Sequence, residues 1–496
     1  MQKKIRRIIF VLATLIFIGA ALFLISYSWG YRWDKEKFNF VSTGGLYLRV
    51  NNTKPEIYLN GKQLKKATPG LLSSGIFLSD LLPNEYLVQV KKDNYFSWSK
   101  KVVVQPKMVT TFSWITLLPK NPLITNIYPP SKLTANSETS TVLNIQEEII
   151  DILPLPNNKE IIIQTKETAT TTRAILSILN INNQNKTEIY QKKLAKNEEL
   201  DLVSVLKIFD DDANDVLFSL TTNKVTNFYL WQRINPEEIR NISQIIISQF
   251  NLKNPITKID FYPNLENKYI ILTRGNLMTV DLNKNETKQI FSDVKDFVRK
   301  DYTLFWIDNK NAVYSYNLIL NSLTPLGILE LPKNAVIKKM EISPKNSYFA
   351  LLFDDDSFYL FKAGEEVKKK EGIKLFAFSF DEKKLAYLNN NGELKVYYLS
   401  DVNGDVIYKK DEEIVITKGV FGVDNLVWFF DLMHLIYQKD KNIYFAEIDP
   451  RDKINIFEES FDFNNFILTS NKNGTIWAWR PDLLQKIDLV YENLNK

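Results

Sequence analysis

The stretch ISPKNSYFALLFDDDSFYLFK, residues 342–362, decides the reading of this chain. An apolar strand end is followed by a polar turn, an apolar strand, the acidic turn 353–357 and a second, aromatic strand. Residues 378–400, FSFDEKKLAYLNNNGELKVYYLS, repeat that order without a gap, and WFFDLMHLIYQ (428–438) repeats its first half. FYPNLENKYIIL (261–272) fits with one insertion.

Working outward, the paired-strand unit recurs along the C-terminal region. The clear copies are 269–282, 303–318, 349–362, 385–400, 435–448 and 466–480, with looser ones at 160–181 and 216–233. That makes eight hairpins. Units of this length, each with four short strands, cannot bury both faces alone and must stack on their neighbours. The pattern is that of a β-propeller over residues 146–496. Its length favours seven blades, and the hairpin count allows eight. The repeats are similar to WD-repeat-like propellers of the envelope type, whose blades carry a Ser-Pro-Asp-Gly-Lys-like turn. Here that turn is worn down to Ser343-Pro344-Lys345-Asn346 and Ser379-Phe380-Asp381-Glu382-Lys383, and no Trp-Asp dipeptide occurs.

Upstream, residues 119–145 hold Pro119, Pro122, Pro129 and Pro130 followed by SKLTANSETST, which reads as an interdomain linker. Before it, residues 40–118 switch to period two. Asn60-Gly61 supplies the positive φ angles of a tight hairpin turn. Tyr86, Val88 and Val90 share one face of a half-buried strand. Residues 45–118 resemble the PEGA domain, a small all-β module of bacterial envelope proteins. The carriers are Ile57-Tyr58-Leu59-Asn60-Gly61, Thr68-Pro69, Leu82-Pro83 before Tyr86-Leu87-Val88, and Asn94-Tyr95 with Trp98. The namesake tetrapeptide is degenerate, and Asn84 and Asn94 stand where that family usually has Gly. The resemblance implies a non-catalytic spacer or docking module.

At the N-terminus a basic tail, residues 1–7, precedes 24 uncharged residues, 8–31. As a helix these span roughly 36 Å, enough for a hydrocarbon core of roughly 30 Å. Lys3, Lys4, Arg6 and Arg7 keep this end in the cytoplasm by the positive-inside rule. Ile8, Leu15 and Leu22 then mark the anchor's apolar length, with Trp29 and Trp33 at its far interface. The competing reading is a cleaved signal peptide, with Ser26 and Ser28 mimicking a cleavage site. The apolar run exceeds the usual signal core, which favours retention. The expected class is therefore all-β with one N-terminal transmembrane helix, a small PEGA-like β-sandwich and a propeller.

Composition narrows the chemistry. Residues 1–37 carry seven basic and two acidic side chains, a surplus equal to the whole net charge of +5. The remainder is balanced, so no cationic surplus for a phosphate backbone is indicated and no nucleic-acid partner is expected. There is no cysteine and one histidine. Thiol catalysis and multi-His metal sites are thereby excluded. His434 aligns with Lys384 in a polar turn, which predicts an exposed loop residue. Asp401, Asn403, Asp405 and Glu412 fall at positions 1, 3, 5 and 12 of an EF-hand-like calcium loop. Position 6 is Val406 rather than Gly, and a hairpin at Asn403-Gly404 fits the strand register better. Trp477 and Trp479 share a strand face, as inter-blade core or as a sugar-stacking surface, with core favoured. The acidic runs 209–215 and 353–357 read as turns, and Lys368–Lys370 as a solvated face. No catalytic set and no cofactor motif emerges.

The leading expectation is an extracytoplasmic binding or scaffold protein of the cell envelope, anchored in the membrane and presenting a protein- or glycan-binding propeller. Two alternatives stand beside it: a carboxylate-dependent propeller glycosidase or lyase, and a purely structural wall or surface-layer element.

Overall fold

The structure is a computed structural model. It describes residues 3–34, 38–51, 55–64, 75–128, 146–168, 172–193, 204–210, 212–222, 225–332, 335–365, 367–461, 463, 465–469 and 474–489. Thr68-Pro69 and residues 129–145 lie outside the described residues.

Helix α1 runs Lys3–Ser28, and its segment Ile5–Ser28 is long and apolar enough to cross a membrane. It ends three residues earlier than the expected 8–31 segment. Tyr31–Asp34 instead pairs antiparallel with Asn39–Ser42 as a separate hairpin.

The small module packs two sheets. One holds Ile76–Leu81, Gly44–Val50 and Val109–Ile115, with the last two parallel. The other orders Lys62–Gln63, Glu56–Leu59, Glu85–Lys91 and Trp98–Val103. Alternate residues turn inward, as the period-two pattern requires. Leu46, Leu48, Ile57, Val88, Val90, Trp98 and Phe112 share the core. Asn60 and Gly61 both have positive φ, as the hairpin turn demands, and so does Asn94. Gly44 is fixed by space: a Cβ there would meet the Gln105 carbonyl at 2.2 Å.

Beyond the module, the described residues form eight four-stranded antiparallel sheets. Sheet 1 spans Gln146–Pro154 to Lys186–Lys193, sheet 2 Ser204–Ile208 to Asn235–Asn241, and sheet 3 Lys258–Phe261 to Glu286–Phe291. Sheet 4 spans Val294–Lys300 to Ser322–Ile328, and sheet 5 Ile337–Ile342 to Lys368–Lys370. Sheet 6 spans Ile373–Phe378 to Glu413–Thr417, and sheet 7 Val423–Trp428 to Ile456–Ser460. Sheet 8 takes Asn465–Leu468, Thr475–Arg480 and Leu483–Asp488, and its outermost strand is Leu123–Tyr128. A helix, Ile242–Gln249, capped by the Asn241 side chain, follows sheet 2.

The second and third strands of these sheets are buried on both faces, as in FALLF and FYLF of sheet 5. That is why they read as unbroken apolar runs rather than alternations. Each pair of neighbouring sheets shares one hydrophobic core. Leu155 to Trp231 joins sheets 1 and 2, and Leu217 to Val280 joins sheets 2 and 3. The series continues pair by pair to sheets 7 and 8. An eighth core sets Trp477, Trp479 and Leu484 of sheet 8 against Ile149, Ile161 and Ile163 of sheet 1. Eight sheets joined by eight cores form a closed circuit. The fold is a β-propeller.

Length favours seven blades; among the described residues strand pairing gives eight four-stranded sheets, the number the hairpin count allows. The expected linker, 119–145, is corrected in part: Leu123–Tyr128 is a strand whose Ile127 is fully buried. The hairpin at 466–480 is also out of phase with the other seven. It joins the first and second strands of its sheet, which leaves room for a fourth strand from upstream.

Candidate docking site between the module and the ring

The module is docked on the ring through the turns between third and fourth strands of sheets 6 and 7. Trp98, Lys100 and Val102 alternate inward on one strand. In that register Lys100 is fully buried. An ammonium without water must be paired and saturated with acceptors. Lys100 Nζ lies 2.7 Å from Glu447 Oε1 and donates to the carbonyls of Asp449 (2.7 Å) and Arg451 (2.9 Å). Glu447 is in turn held by Trp98 Nε1 at 2.8 Å and by the Asn455 amide groups. Backbone edges add to this: Lys101 N–H donates to Asp452 Oδ2, and Ser99 N–H to Asn455 Oδ1.

A second layer surrounds the ion pair. The Arg451 guanidinium sits 3.8 Å above the Phe112 ring, chelates Asp449 and donates to the Thr111 carbonyl. Burial pushes the Asp449 carboxyl up, but Arg451 and Lys100 outweigh it, so its pKa lies below the usual carboxylate range. Phe96 packs on Phe457 at 5.6 Å, extending the core of sheets 7 and 8 into the module.

This junction accounts for the proposed calcium loop. Asp405 Oδ1 accepts from Thr111 Oγ1 and Ser113 Oγ, both at 2.8 Å, and Oδ2 accepts the Ser113 N–H. Asp401 accepts from Lys410 N–H and the Lys409 ammonium, and Glu412 from Lys409 N–H. Residues 401–408 are closed by a bridge between Val402 and Tyr408. The structure does not bring Asp401, Asn403, Asp405 and Glu412 together. Among the described residues no group of three or more His, Asp or Glu side chains is arranged for a metal ion.

His434 is corrected outright. It opens the second strand of sheet 7, is 2% exposed, and its Nδ1 lies 2.6 Å from Asp431 Oδ2. Its ring stacks on Phe445 at 4.7 Å. The alignment with Lys384 holds: Lys384 opens the second strand of sheet 6, is buried, and faces Asp381 at 3.8 Å. Both turns place an Asp three residues before a buried base, and its oxygen caps the turn N–H groups. Trp477 and Trp479 are buried in the core between sheets 8 and 1. Lys368 pairs with Asp411, and Lys370 with Glu413, so the basic run ties sheet 5 to sheet 6. The anchor positions Ile8, Leu15, Leu22, Trp29 and Trp33 are all exposed on the protein surface.

Reasoning from sequence missed Lys100, Glu447 and Arg451. The signal was present in SWSKKVVV: one lysine falls on the register of Trp98 and Val102, and a lysine in a buried register needs a partner from outside its own sheet.

No protein-family model matches the chain, and no curated protein matches it. The PEGA resemblance of 45–118 is not shown by these comparisons. Solved structures do match. The C-terminal WD40 domain of Sif2 is 13% identical, covers 70% of this chain and 97% of its own, with a TM-score of 0.44. BamB from Moraxella catarrhalis is 12% identical over 69% and 98%, with a TM-score of 0.42. Kluyveromyces lactis Hsv2 is 12% identical over 63% and 99%, with a TM-score of 0.38. At such identities and scores the likeness carries no argument for a ligand or a reaction. The fold rests on the strand pairing and the circuit of cores.

Proposed function

We propose that this protein is a non-catalytic, membrane-anchored scaffold of the cell envelope. The PEGA-like module holds an eight-bladed propeller at a fixed orientation outside the cytoplasm. The observation that carries the reading is the buried junction at Lys100, Glu447 and Arg451. A module joined to the ring by a buried ion pair and a shared aromatic core is a rigid spacer, and rigidity matters for presenting a surface. The end of α1 is tied to the hairpin and to the segment that leads into the module. Thr43 donates twice to the Gly30 carbonyl, and Arg32 donates to the Tyr27 carbonyl while lying 3.5 Å over the Tyr27 ring. Such ties favour a retained anchor over a cleaved signal.

The module covers the turns between third and fourth strands of sheets 6 and 7. The opposite face, built from turns between second and third strands such as 309–311 and 390–393, is left free to receive a protein or glycan. Because the chain lacks cysteine, Asn391→Cys gives a single label site. In intact cells it is expected to react with a membrane-impermeant maleimide, and a photo-crosslinker at that position is expected to give discrete adducts. Labelling only after lysis would refute the topology. Absence of adducts from several positions on this face would refute the scaffold role.

A further inference from the structure

The two-stranded hairpin after α1 does more than connect. Leu22, Ser26 and Trp29 lie on one helical face by their spacing. Together with Phe23, Tyr31 and Phe40 they line a groove of about 530 Å³ between the last turns of α1 and the hairpin. Its walls are mostly apolar or aromatic, with Ser26 and Tyr31 as the residues bearing hydroxyls, and Leu22, Phe23, Trp29 and Phe40 are all more than half exposed. Trp33 sits edge-on to Phe40 at 5.0 Å, and Phe38 is 78% exposed beside it. An exposed apolar surface of this kind marks a site of membrane or ligand contact. One wall is the same helix face that, in the proposed reading, meets hydrocarbon. The aromatic rings are of the type that settles at the headgroup boundary. The hairpin cannot swing away freely, because Arg32 is paired with Asp80 of the module at 2.7 Å.

We propose that this groove binds one acyl chain of a bilayer phospholipid, with the hairpin Tyr31–Asp34 and Asn39–Ser42 lying in the headgroup layer. The inference rests on the retained-anchor reading above. The lipid seats the hairpin against α1, and through Arg32 and Asp80 it fixes the module, and so the ring, relative to the bilayer plane.

The test uses the full chain reconstituted with phosphatidylethanolamine, then transferred to mild detergent for intact-mass measurement. One retained phospholipid per chain is expected. Ser26→Phe fills the groove and is expected to lower the lipid-bound fraction at least fivefold, with flotation on vesicles and the thermal melt of the ring unchanged. Equal retention by both proteins, or no retention by the wild type, overturns the groove while leaving the anchor standing. Failure of the wild type to float with vesicles overturns the anchor reading and the groove with it. As a second measurement, vesicles of phosphatidylcholine brominated at acyl carbons 6 and 7 are expected to quench tryptophan emission. Trp29→Phe is expected to remove at least a third of that quenching, and an unchanged signal would count against the site.

Discussion

Lys100 is a residue whose removal has a large and specific cost. Its ammonium answers the Glu447 carboxylate inside the junction, and Lys100→Met leaves that carboxylate buried with only neutral donors. The expected loss is about 3–5 kcal/mol in urea unfolding. A double-mutant cycle with Glu447→Gln is expected to recover part of it, and strictly additive losses would show that the pair is not coupled. The junction also titrates. Asp449 is held below its ordinary value of 3.8. A depressed folded pKa contributes stability that is complete above the unfolded value and is lost as pH falls through the folded one. The module is therefore expected to loosen from the ring in acid below about pH 4, read as faster proteolysis near residues 119–122. Lys384 behaves oppositely. Burial pushes its pKa down, against attraction from Asp381 and Asp431. Asp381 keeps the Ser379 hydroxyl and the Lys383 N–H as donors. Lys384→Met is thus expected to stabilise sheet 6 by about 1 kcal/mol at neutral pH, and a fall in melting temperature would contradict this. At this scale the sequence was legible in type but not in burial. The equivalence of His434 and Lys384 was readable from the aligned turns. Their burial was not, because it depends on an Asp three residues earlier that reads as ordinary turn chemistry.

Among elements, the second and third strands were the easiest to read. Sandwiched between neighbouring sheets, they carry apolar residues on both faces, and their hairpins stand out in seven of the eight units. The innermost strands were harder. In sheets 1, 2, 4, 5, 6 and 7 each carries a register shift one residue after its first apolar contact, as at Val294/Asp296 and Ile373/Leu375. Such a bulge blurs strict alternation. The strand Leu123–Tyr128 was unreadable for a different reason. As an outermost strand it exposes its first four residues, and prolines flank it on both sides. That pattern matches a linker. Its energetic weight lies in Ile127, fully buried between sheets 8 and 1. Ile127→Asp is expected to cost at least 3 kcal/mol and to broaden the thermal transition of the whole ring. Ile124→Asp, on the exposed side, is expected to cost under 1 kcal/mol. Similar losses for both would deny the strand its place.

Taken whole, the molecule is a closed circuit whose last sheet is completed by chain that precedes the first. Such closure is a pairing across more than 350 residues, and nothing local in either segment announces it. That distance explains why hairpin count and length point to different numbers of sheets, eight and seven. The docked module adds a second long-range contact, between Trp98–Lys101 and residues 447–455 of sheet 7. The absence of native cysteine makes the closure directly testable. Thr125 and Lys486 face each other across the closing pair. Thr125→Cys with Lys486→Cys is expected to form an intramolecular disulfide on mild oxidation, with a raised melting temperature, while Thr125→Cys with an out-of-register Leu483→Cys is not. Failure of the in-register pair to cross-link in the folded protein would contradict the closed ring on which the account depends.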